Sequence, residues 1–579
     1  MAQQTAPMKS ALPQRRFYFD VKWLIILAIV AFLLVFQVFP LVYMLYKAFF
    51  PESVFSLSTF TRLYTYEMNW GALCNTLVAA AATMVLGTVL AFPLAWLVGR
   101  TNMYGKKFFR SLFVLTYMVP PYLGAMAWTR LLNQNAGTIN VFLRGLLNID
   151  ARTGPLNIYT IAGMIWVLTT FYYPYAFITI SRAMEKMDPS LEEAARISGA
   201  SPLKTVATIT LPMMTPSLIA GALLVFVCAA SCYGIPSIVG ALLANNNPLG
   251  VILSGFFFGA LKNGGSIMQR VTSVPQIVTE IIMAIIILYI SDVVVARKQY
   301  ITVSGKSTRP NIVDLGRWRG LTTALVSLFS IIVIVIPFIT IATTSVKKNL
   351  GKGLFEANNF TTMHWTKIFG RDDIIESLIN SITFAAAAAT IGIIISFTMA
   401  YLLQRTRVRG RKIPDFLITL GSGTPSVVIA LGLIMTMNGK FGINLYNTAA
   451  IMIIAYLIKY LMMGMRTVVS AMSQIHVSLE ESSQASGAGW LRTMFKVTVP
   501  LIFPSIAAGW FLIFIPCFYE LSMSTLLYSR DTQVIGYMLH YYWTYTSQQQ
   551  ASAMAFGILL VVVALNFILN KLTKGEFSI

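Results

Sequence analysis

One long segment of this sequence occurs twice. The first copy, LEEAARISGASPLKTVATITLPMMTPSLIAG, runs from Leu191 to Gly221, and LEESSQASGAGWLRTMFKVTVPLIFPSIAAG runs from Leu479 to Gly509. The copies align without a gap at a constant offset of 288 residues (479 − 191). Because about half the chain separates them, the sequence predicts two similar halves, each with one polar element between apolar segments.

The repeat extends beyond this segment. Asn75-Thr76 and Arg100-Thr101 with Gly105 recur as Asn380-Ser381 and Arg405-Thr406 with Gly410, at an offset of 305 residues (380 − 75). The first half therefore carries about 17 additional residues (305 − 288) between Pro121 and Tyr172. We predict a first half at 1–296, a linker at 297–317 and a second half at 318–579. The repeated segments lie at 191–212 and 479–500 within them.

The composition places both halves in a lipid bilayer. Of 579 residues, 56% are hydrophobic and 11% are charged, and the mean hydropathy is +0.71. Such a chain has too few polar side chains to cover a water-soluble surface of this size. Apolar runs long enough to cross the hydrocarbon core fall near 23–48, 72–98, 109–132, 158–181, 212–236, 275–295, 318–345, 378–403, 413–437, 447–468, 499–527 and 551–571. The expected fold is an all-α membrane protein with about 12 transmembrane helices, six in each of two parallel halves.

Basic residues set the predicted orientation. Alternate connections are rich in lysine and arginine, as around Arg100 to Arg110 and Arg405 to Lys412. The positive-inside rule then places both termini and both repeated polar segments in the cytoplasm. Inner loops that face anionic lipid account for most of the net charge of +22. No nucleic-acid partner is needed to explain it.

Each repeated segment begins with a predicted short helix. Ser190 and Ser478 stand at the helix starts, acidic residues follow in the first turn, and Gly199 and Gly487 are suited to a left-handed end. A pair of amphipathic helices lying at the membrane surface would share these features. The alternative is a pair of docking elements, one per half, on the same side of the membrane.

The residues of these segments resemble a known motif. Glu193-Ala194-Ala195 followed by Gly199 and by Leu211-Pro212 resembles the EAA loop of type I ATP-binding cassette (ABC) importer permeases. Glu481, Gly487 and Val499-Pro500 repeat it, with serines in place of the two alanines. The resemblance extends from about Asn75 to Asn566 and implies two fused permease domains of the type I ABC permease fold, in the bacterial inner membrane.

This resemblance implies partners and roles. The coupling residues would be Glu192, Glu193, Ala194, Ala195, Gly199, Glu480, Glu481 and Gly487. Each EAA helix would sit in a groove of one of two ATP-binding subunits, and a substrate-binding protein would dock outside. We expect no catalytic residue, metal site or cofactor in this chain, with ATP and magnesium held by the partner subunits. Gly305-Lys306-Ser307 lacks the earlier glycine of a phosphate-binding loop, so we interpret it as part of a basic linker.

Residues of the substrate pathway are sought among ionisable groups within spans, because burying a charge in a membrane is costly. Glu520 is predicted to lie in the eleventh span, and Cys232 is its counterpart at the 288-residue offset. With Tyr233 and Tyr519, these residues are candidates to line the pathway between the halves. Alternatively, Glu520 reaches water at the outer end of its helix. Glu280 and Lys459 are further intramembrane charges that could form a structural pair.

The sequence around Glu520 resembles the ferric-iron group of fused permeases. Glu520-Leu521-Ser522-Met523-Ser524-Thr525-Leu526 is similar to that group's Glu-Leu-Pro-Ala-Thr-Leu stretch, but Ser522 replaces the proline. The resemblance implies ferric iron as substrate. Thiamine, aminoalkylphosphonates and polyamines, which related permeases carry, stay open. An ion-coupled secondary transporter is an alternative class, although it should contain more carboxylates in broken helices than Glu280 and Glu520.

Overall fold

The computed structural model describes residues 21–50, 53–57, 67–151, 153–187, 190–243, 312–352, 356 and 358–572. Within these ranges the chain is almost entirely helical, with three isolated β-bridges. Nine of the described helices are long and apolar enough to cross a membrane, and a bent pair makes a tenth. The predicted sixth span, 275–295, lies outside the described residues.

The helices of the first half follow the predicted order. They are α1 (Val21–Leu33), α2 (Phe39–Phe49), α3 (Glu67–Arg100), α4 (Lys106–Met118), α5 (Pro121–Leu132), α6 (Thr138–Leu146), α7 (Ile161–Lys186), α8 (Ser190–Ile197), α9 (Pro202–Thr205), α10 (Leu211–Ala230) and α11 (Gly234–Leu243). The additional residues of this half include α6.

The second half repeats this order. Its helices are α12 (Trp318–Ser330), α13 (Ile336–Ser345), α14 (Met363–Phe369), α15 (Asp372–Arg405), α16 (Lys412–Gly423), α17 (Ser426–Thr436), α18 (Ala449–Gln474), α19 (Ser478–Ala485), α20 (Trp490–Thr493), α21 (Val499–Phe518), α22 (Ser524–Leu527), α23 (Ile535–Tyr541) and α24 (Gln548–Leu572).

Single π-helical turns occur at matching places in the two halves. They join α1 to α2 and α12 to α13, at Leu34–Val38 and Ile331–Val335, and they precede α10 and α21, at Val206–Thr210 and Met494–Thr498. A proline stands two residues after each of these four turns, at positions 40, 337, 212 and 500, but not after the further π-helical turn at Tyr542–Thr546. Proline has no N–H and its ring crowds the carbonyl four residues earlier, so a wider turn lets the helix continue past it.

The third apolar segment of each half is broken, so the expectation of one continuous helix there was wrong. Segment 109–132 forms α4 and α5, and segment 413–437 forms α16 and α17, which meet at an angle of 108°. Val119 and Thr424 stand directly before prolines and have extended backbones, with ψ of 134° and 132°. Proline disfavours the helical conformation in the residue before it, which explains both breaks.

Three helices form the centre of each half: α3, α7 and α10 in the first, and α15, α18 and α21 in the second. They approach closely at equivalent glycines. A Cβ atom on Gly221 would lie 3.1 Å from the Ala176 Cα, and one on Gly509 would lie 3.4 Å from the Gly464 Cα. Small residues permit such close packing in membranes, where dispersion contacts replace the hydrophobic effect between helices.

The first span of each half packs against the other half. Helix α1 contacts α16 and helix α2 contacts α17, whereas α13 of the second half contacts α5 of the first. At one of these contacts, the Gln37 amide donates a hydrogen bond to the Leu417 carbonyl across 2.7 Å. The two repeats are therefore interlocked rather than merely adjacent.

The end of the predicted linker is attached to the first half. Val313 donates to the Arg100 carbonyl (2.7 Å) and accepts from the Asn102 backbone (3.2 Å). The Asn102 side chain donates to Asp314 (2.6 Å) and accepts from the Leu315 backbone (3.1 Å). Hydrogen bonds from the Gly316 N–H and the Asn102 amide lower the pKa of Asp314. The linker thus ends against the loop that follows α3.

Candidate functional site

The two repeated helices, α8 and α19, have the same length and the same end. Each has eight residues, and Gly199 and Gly487 follow with φ of +84° and +88°. Ala200 donates to the Ala195 carbonyl and Ala488 donates to the Ser483 carbonyl, across 3.0 and 3.2 Å. This pattern is a Schellman motif, which satisfies carbonyls that the end of a helix leaves unpaired. The predicted left-handed ends are confirmed.

The consecutive glutamates of each helix differ in exposure. Glu192 and Glu480 are 5% and 8% exposed, whereas Glu193 and Glu481, one position on, are exposed. Residues adjacent in a helix point about 100° apart, so only one of each pair can face the protein. The resemblance to the EAA loop implies one coupling role for all four, but the structure divides them into a buried pair and an exposed pair.

Each buried glutamate meets an arginine at the end of a central helix. The Arg405 Nε donates to the Glu480 carboxylate across 2.9 Å, and its Nη2 donates to the Ile475 carbonyl across 2.9 Å. In the first half, the Arg100 Nη1 lies 4.0 Å from the Glu192 carboxylate. In the sequence, Arg100 and Arg405 indicated the duplication and the membrane orientation, but not their glutamate partners. Their repetition at the cytoplasmic ends predicted for α3 and α15 was the available signal.

The surface around both helices is partly apolar. Leu191 and Leu479 are each 48% exposed, and Ile197 is 87% exposed at the end of α8. Ala194 is exposed and Ala195 is half-buried. In the second half, the hydroxyl of Ser483 is hydrogen-bonded to that of Thr493 (3.0 Å), so this serine ties α19 to α20. Exposed apolar side chains rimmed by polar ones mark a contact with another protein or with the membrane surface.

Glu520 lies in the turn after α21, which ends at Phe518, rather than within the predicted helix 499–527. The residue is 4% exposed, so it does not reach water. Its carboxylate accepts hydrogen bonds from the backbones of Met523 and Ser524 and from the Ser524 hydroxyl, at 2.9–3.0 Å. Because these N–H groups donate to the carboxylate, they cannot bond the carbonyls four residues earlier, so the long helix does not continue. The same hydrogen bonds satisfy the N–H groups at the start of α22. A pathway role for Glu520 stays a prediction.

Cys232 occupies the equivalent turn in the first half, after α10 ends at Ala230, and is half-buried. The two turns adjoin where the halves meet. A Cβ atom on Gly234 would lie 3.0 Å from the Tyr122 Cβ and 3.6 Å from the Leu521 Cδ2. The Tyr122 hydroxyl also donates to the Tyr519 carbonyl across 3.0 Å. The Tyr233 ring lies 6.4 Å from that of His540, centroid to centroid.

Lys459 has a structural role at the break between α16 and α17. Its ammonium group donates to the carbonyls of Ser422 and Thr424 across 3.0 and 2.8 Å. Non-helical backbone within a membrane needs such internal partners, because lipid supplies none. Glu280, its proposed partner, lies outside the described residues. Among the residues that the structure describes, no group of three His, Cys, Asp or Glu side chains could hold a metal ion.

The interlocked halves, the broken third segments and the paired exposed helices define a multi-pass membrane permease with an internal duplication. The family model described as "Binding-protein-dependent transport system inner membrane component" matches residues 91–296 and 392–574. The chain belongs to this family. It is therefore a permease subunit of an inner-membrane transport system that works with a binding protein.

Individual relatives cover most of the chain. A ferric transport system permease protein of Actinobacillus pleuropneumoniae is 24% identical over 94% of this chain and 77% of its own length. An Fe(3+)-transport system permease protein of Haemophilus influenzae is 24% identical over 85% of this chain and 87% of its own length. A spermidine/putrescine permease of Escherichia coli is 30% identical over 33% of this chain and 69% of its own length.

Proposed function

We propose that this permease is driven by two ATP-binding subunits, one docked on α8 and one on α19. The observation that carries the proposal is the duplicated geometry of these helices: equal length, the same left-handed glycine end, one buried glutamate and one exposed glutamate. The exposed Glu193 and Glu481 would contact the partners. ATP and magnesium would be bound by those subunits, and this chain would hold no cofactor of its own.

In the proposed orientation, α8 and α19 face the cytoplasm together with both chain termini. The basic connections after α3 and α15 support it. They contain Lys106, Lys107, Arg409 and Arg411, and they follow the helix ends at Arg100 and Arg405, which lie against Glu192 and Glu480 of the two helices. The substrate-binding protein would then dock on the opposite side. Cys232, Tyr233, Tyr519 and Glu520 would belong to the pathway between the halves, where the turns after α10 and α21 adjoin.

Ferric iron is the proposed cargo. Relatives named as ferric transport permeases match over 85–94% of this chain, whereas the spermidine/putrescine permease matches over 33% of it. The similarity to the ferric permeases therefore includes both halves and the surface between them, where a translocated ion must pass.

Reconstitution tests this function. The permease is assembled in lipid nanodiscs with its ATP-binding and substrate-binding partners, and ATP hydrolysis is measured with ferric iron, thiamine, an aminoalkylphosphonate or spermidine. Stimulation by ferric iron alone is the expected result. Stimulation by another substrate would overturn the cargo assignment and leave the docking assignment intact.

A separate variant tests the docking assignment. The double substitution Glu193→Lys, Glu481→Lys should uncouple ATP hydrolysis from uptake while the protein still inserts in the membrane, because it reverses both exposed charges at the proposed contacts. Normal uptake by this variant would refute the role of α8 and α19. Lys348→Glu, a charge reversal in an exposed loop after α13 that is predicted to lie outside, is the control for binding of the ATP-binding subunits, which it should leave unchanged.

A further inference from the structure

The buried glutamate of α8 lies where all three central helices of the first half converge. Arg100 is the last residue of α3, and its Nη2 donates to the carbonyl of Met187, just after the end of α7 (3.1 Å). Thr210, directly before α10, donates from its hydroxyl to the Glu192 carboxylate across 2.7 Å. Any displacement of α8 must therefore act on α3, α7 and α10 together.

The second half has the same arginine, glutamate and threonine in a different arrangement. The carboxylate of Glu480 is bonded to Arg405, and the hydroxyl of Thr498, the equivalent of Thr210, has no hydrogen-bond partner among the described residues. In the first half, the threonine has a hydrogen bond to the glutamate and the arginine does not. The Nε and Nη1 of the 1%-exposed Arg100 lack hydrogen-bond partners within the described ranges.

This difference identifies two positions of one contact. The equivalent carboxylate can accept from the guanidinium at the end of one central helix or from the hydroxyl at the start of another. Either choice leaves a buried donor unsatisfied, which is costly in a protein interior. Both arrangements carry such a cost, so a force on the short helix can shift the balance between them.

We propose that Arg100, Glu192 and Thr210, and equally Arg405, Glu480 and Thr498, form two-position contacts that transmit movement of α8 and α19 to the central helices. The inference rests on the proposed docking of ATP-binding subunits at these helices. During the cycle, each carboxylate exchanges between arginine and threonine as its helix is pushed or released. These are positioning residues: they touch neither ATP nor cargo, and they couple the two sites mechanically.

Thr498→Val is the decisive variant. The hydroxyl of the native Thr498 has no hydrogen-bond partner in the described structure. If Arg405 and Glu480 form a fixed ion pair that never exchanges, loss of this hydroxyl should have no effect. A two-position contact instead predicts that removal of the second position lowers uptake per ATP hydrolysed at least fivefold, with affinity for the ATP-binding subunits unchanged. Thr83→Val is the matched control, since Thr83 is also buried and lacks a partner in the described part, but lies within α3 away from this contact.

The assay uses the complete complex in proteoliposomes and measures subunit affinity, ATP hydrolysis and uptake in parallel. Thr498→Val equal to wild type in uptake per ATP would overturn the inference. A second variant guards against misfolding: Arg405→Lys keeps the charge and should retain most of the coupling, whereas Arg405→Met should lose it. Equal behaviour of these two variants would also overturn it. Failure of the wild-type chain to bind ATP-binding subunits would instead refute the proposed function.

Discussion

Replacement of Gly487 by alanine tests whether the end of α19 must be preformed for docking. The backbone of Gly487 has φ of +88°, and a Cβ atom added there would meet no heavy atom within 4 Å. The whole cost of alanine is therefore backbone strain, about 1–2 kcal/mol for a non-glycine residue in the left-handed region. No steric collision with a neighbouring side chain complicates the substitution.

This strain should appear as weaker partner binding. In the free permease, the loop after α19 can relax by giving up the left-handed turn, and docking must restore it. A cost of about 1–2 kcal/mol corresponds to an affinity for the ATP-binding subunit that is lower by roughly 5- to 30-fold. Gly487→Asn should show a smaller loss, since asparagine adopts this conformation more readily. Binding is measured by interferometry on nanodisc-embedded permease.

Gly489→Ala supplies the control. Gly489 lies two residues further along the same loop, also has open space around its Cα, and has φ of −64°, which alanine adopts without strain. Its affinity should match wild type within about twofold, a change worth about 0.4 kcal/mol. If Gly487→Ala binds as tightly as Gly489→Ala, the geometry of this helix end does not control docking.

Three further outcomes are expected. Lys459→Met removes the donor to two carbonyls at the break between α16 and α17, and should lower the free energy of unfolding by about 1–3 kcal/mol for each acceptor. The variant should unfold at a lower temperature than the exposed control Lys496→Met. Gly124→Ala places a Cβ atom directly against the buried Phe171 ring and should abolish accumulation of folded protein, with partial recovery in the double variant that also carries Phe171→Ala. Full accumulation of Gly124→Ala alone would contradict this packing. Glu520→Ala removes the carboxylate that accepts hydrogen bonds at the start of α22, and it should lower uptake while the ATP-binding subunits stay bound. Glu520→Gln keeps one carbonyl oxygen and should retain more uptake. Unchanged uptake in both variants would remove Glu520 from the pathway.

Several features were predictable because they depend on local sequence. Apolar runs of about 20 residues predict spans in any fold, since the bilayer thickness alone sets their length. The left-handed ends at Gly199 and Gly487 follow from the tolerance of glycine for positive φ. The helix breaks at Val119 and Thr424 were also local, and the prolines after them were the signal that the hydropathy pattern concealed.

Other features depend on residues far apart in the chain. The Asn380-Ser381 pair of α15 was visible as part of the sequence repeat, but its hydrogen-bond partners were not. The Asn380 amide donates to the Asp531 and Gln533 carbonyls, and the Ser381 hydroxyl accepts from the Ile535 backbone. Likewise, the sequence could not show that the Glu520 carboxylate accepts hydrogen bonds from Met523 and Ser524 in the turn that follows it. Hydrogen-bond partners are chosen by proximity in space, which a single sequence does not specify.

The sequence by itself determined the duplication, the membrane environment, the helical content and the two repeated short helices, because repetition, hydropathy and glycine positions act locally. Only the tertiary structure decided which glutamate of each helix is buried, that Arg100 and Arg405 are its partners, and that the first span of each half crosses to the other half. The physical reason is that packing between distant helices selects one face of each helix. Two similar sequences can also settle into different hydrogen-bonded arrangements when each arrangement leaves a buried donor unpaired.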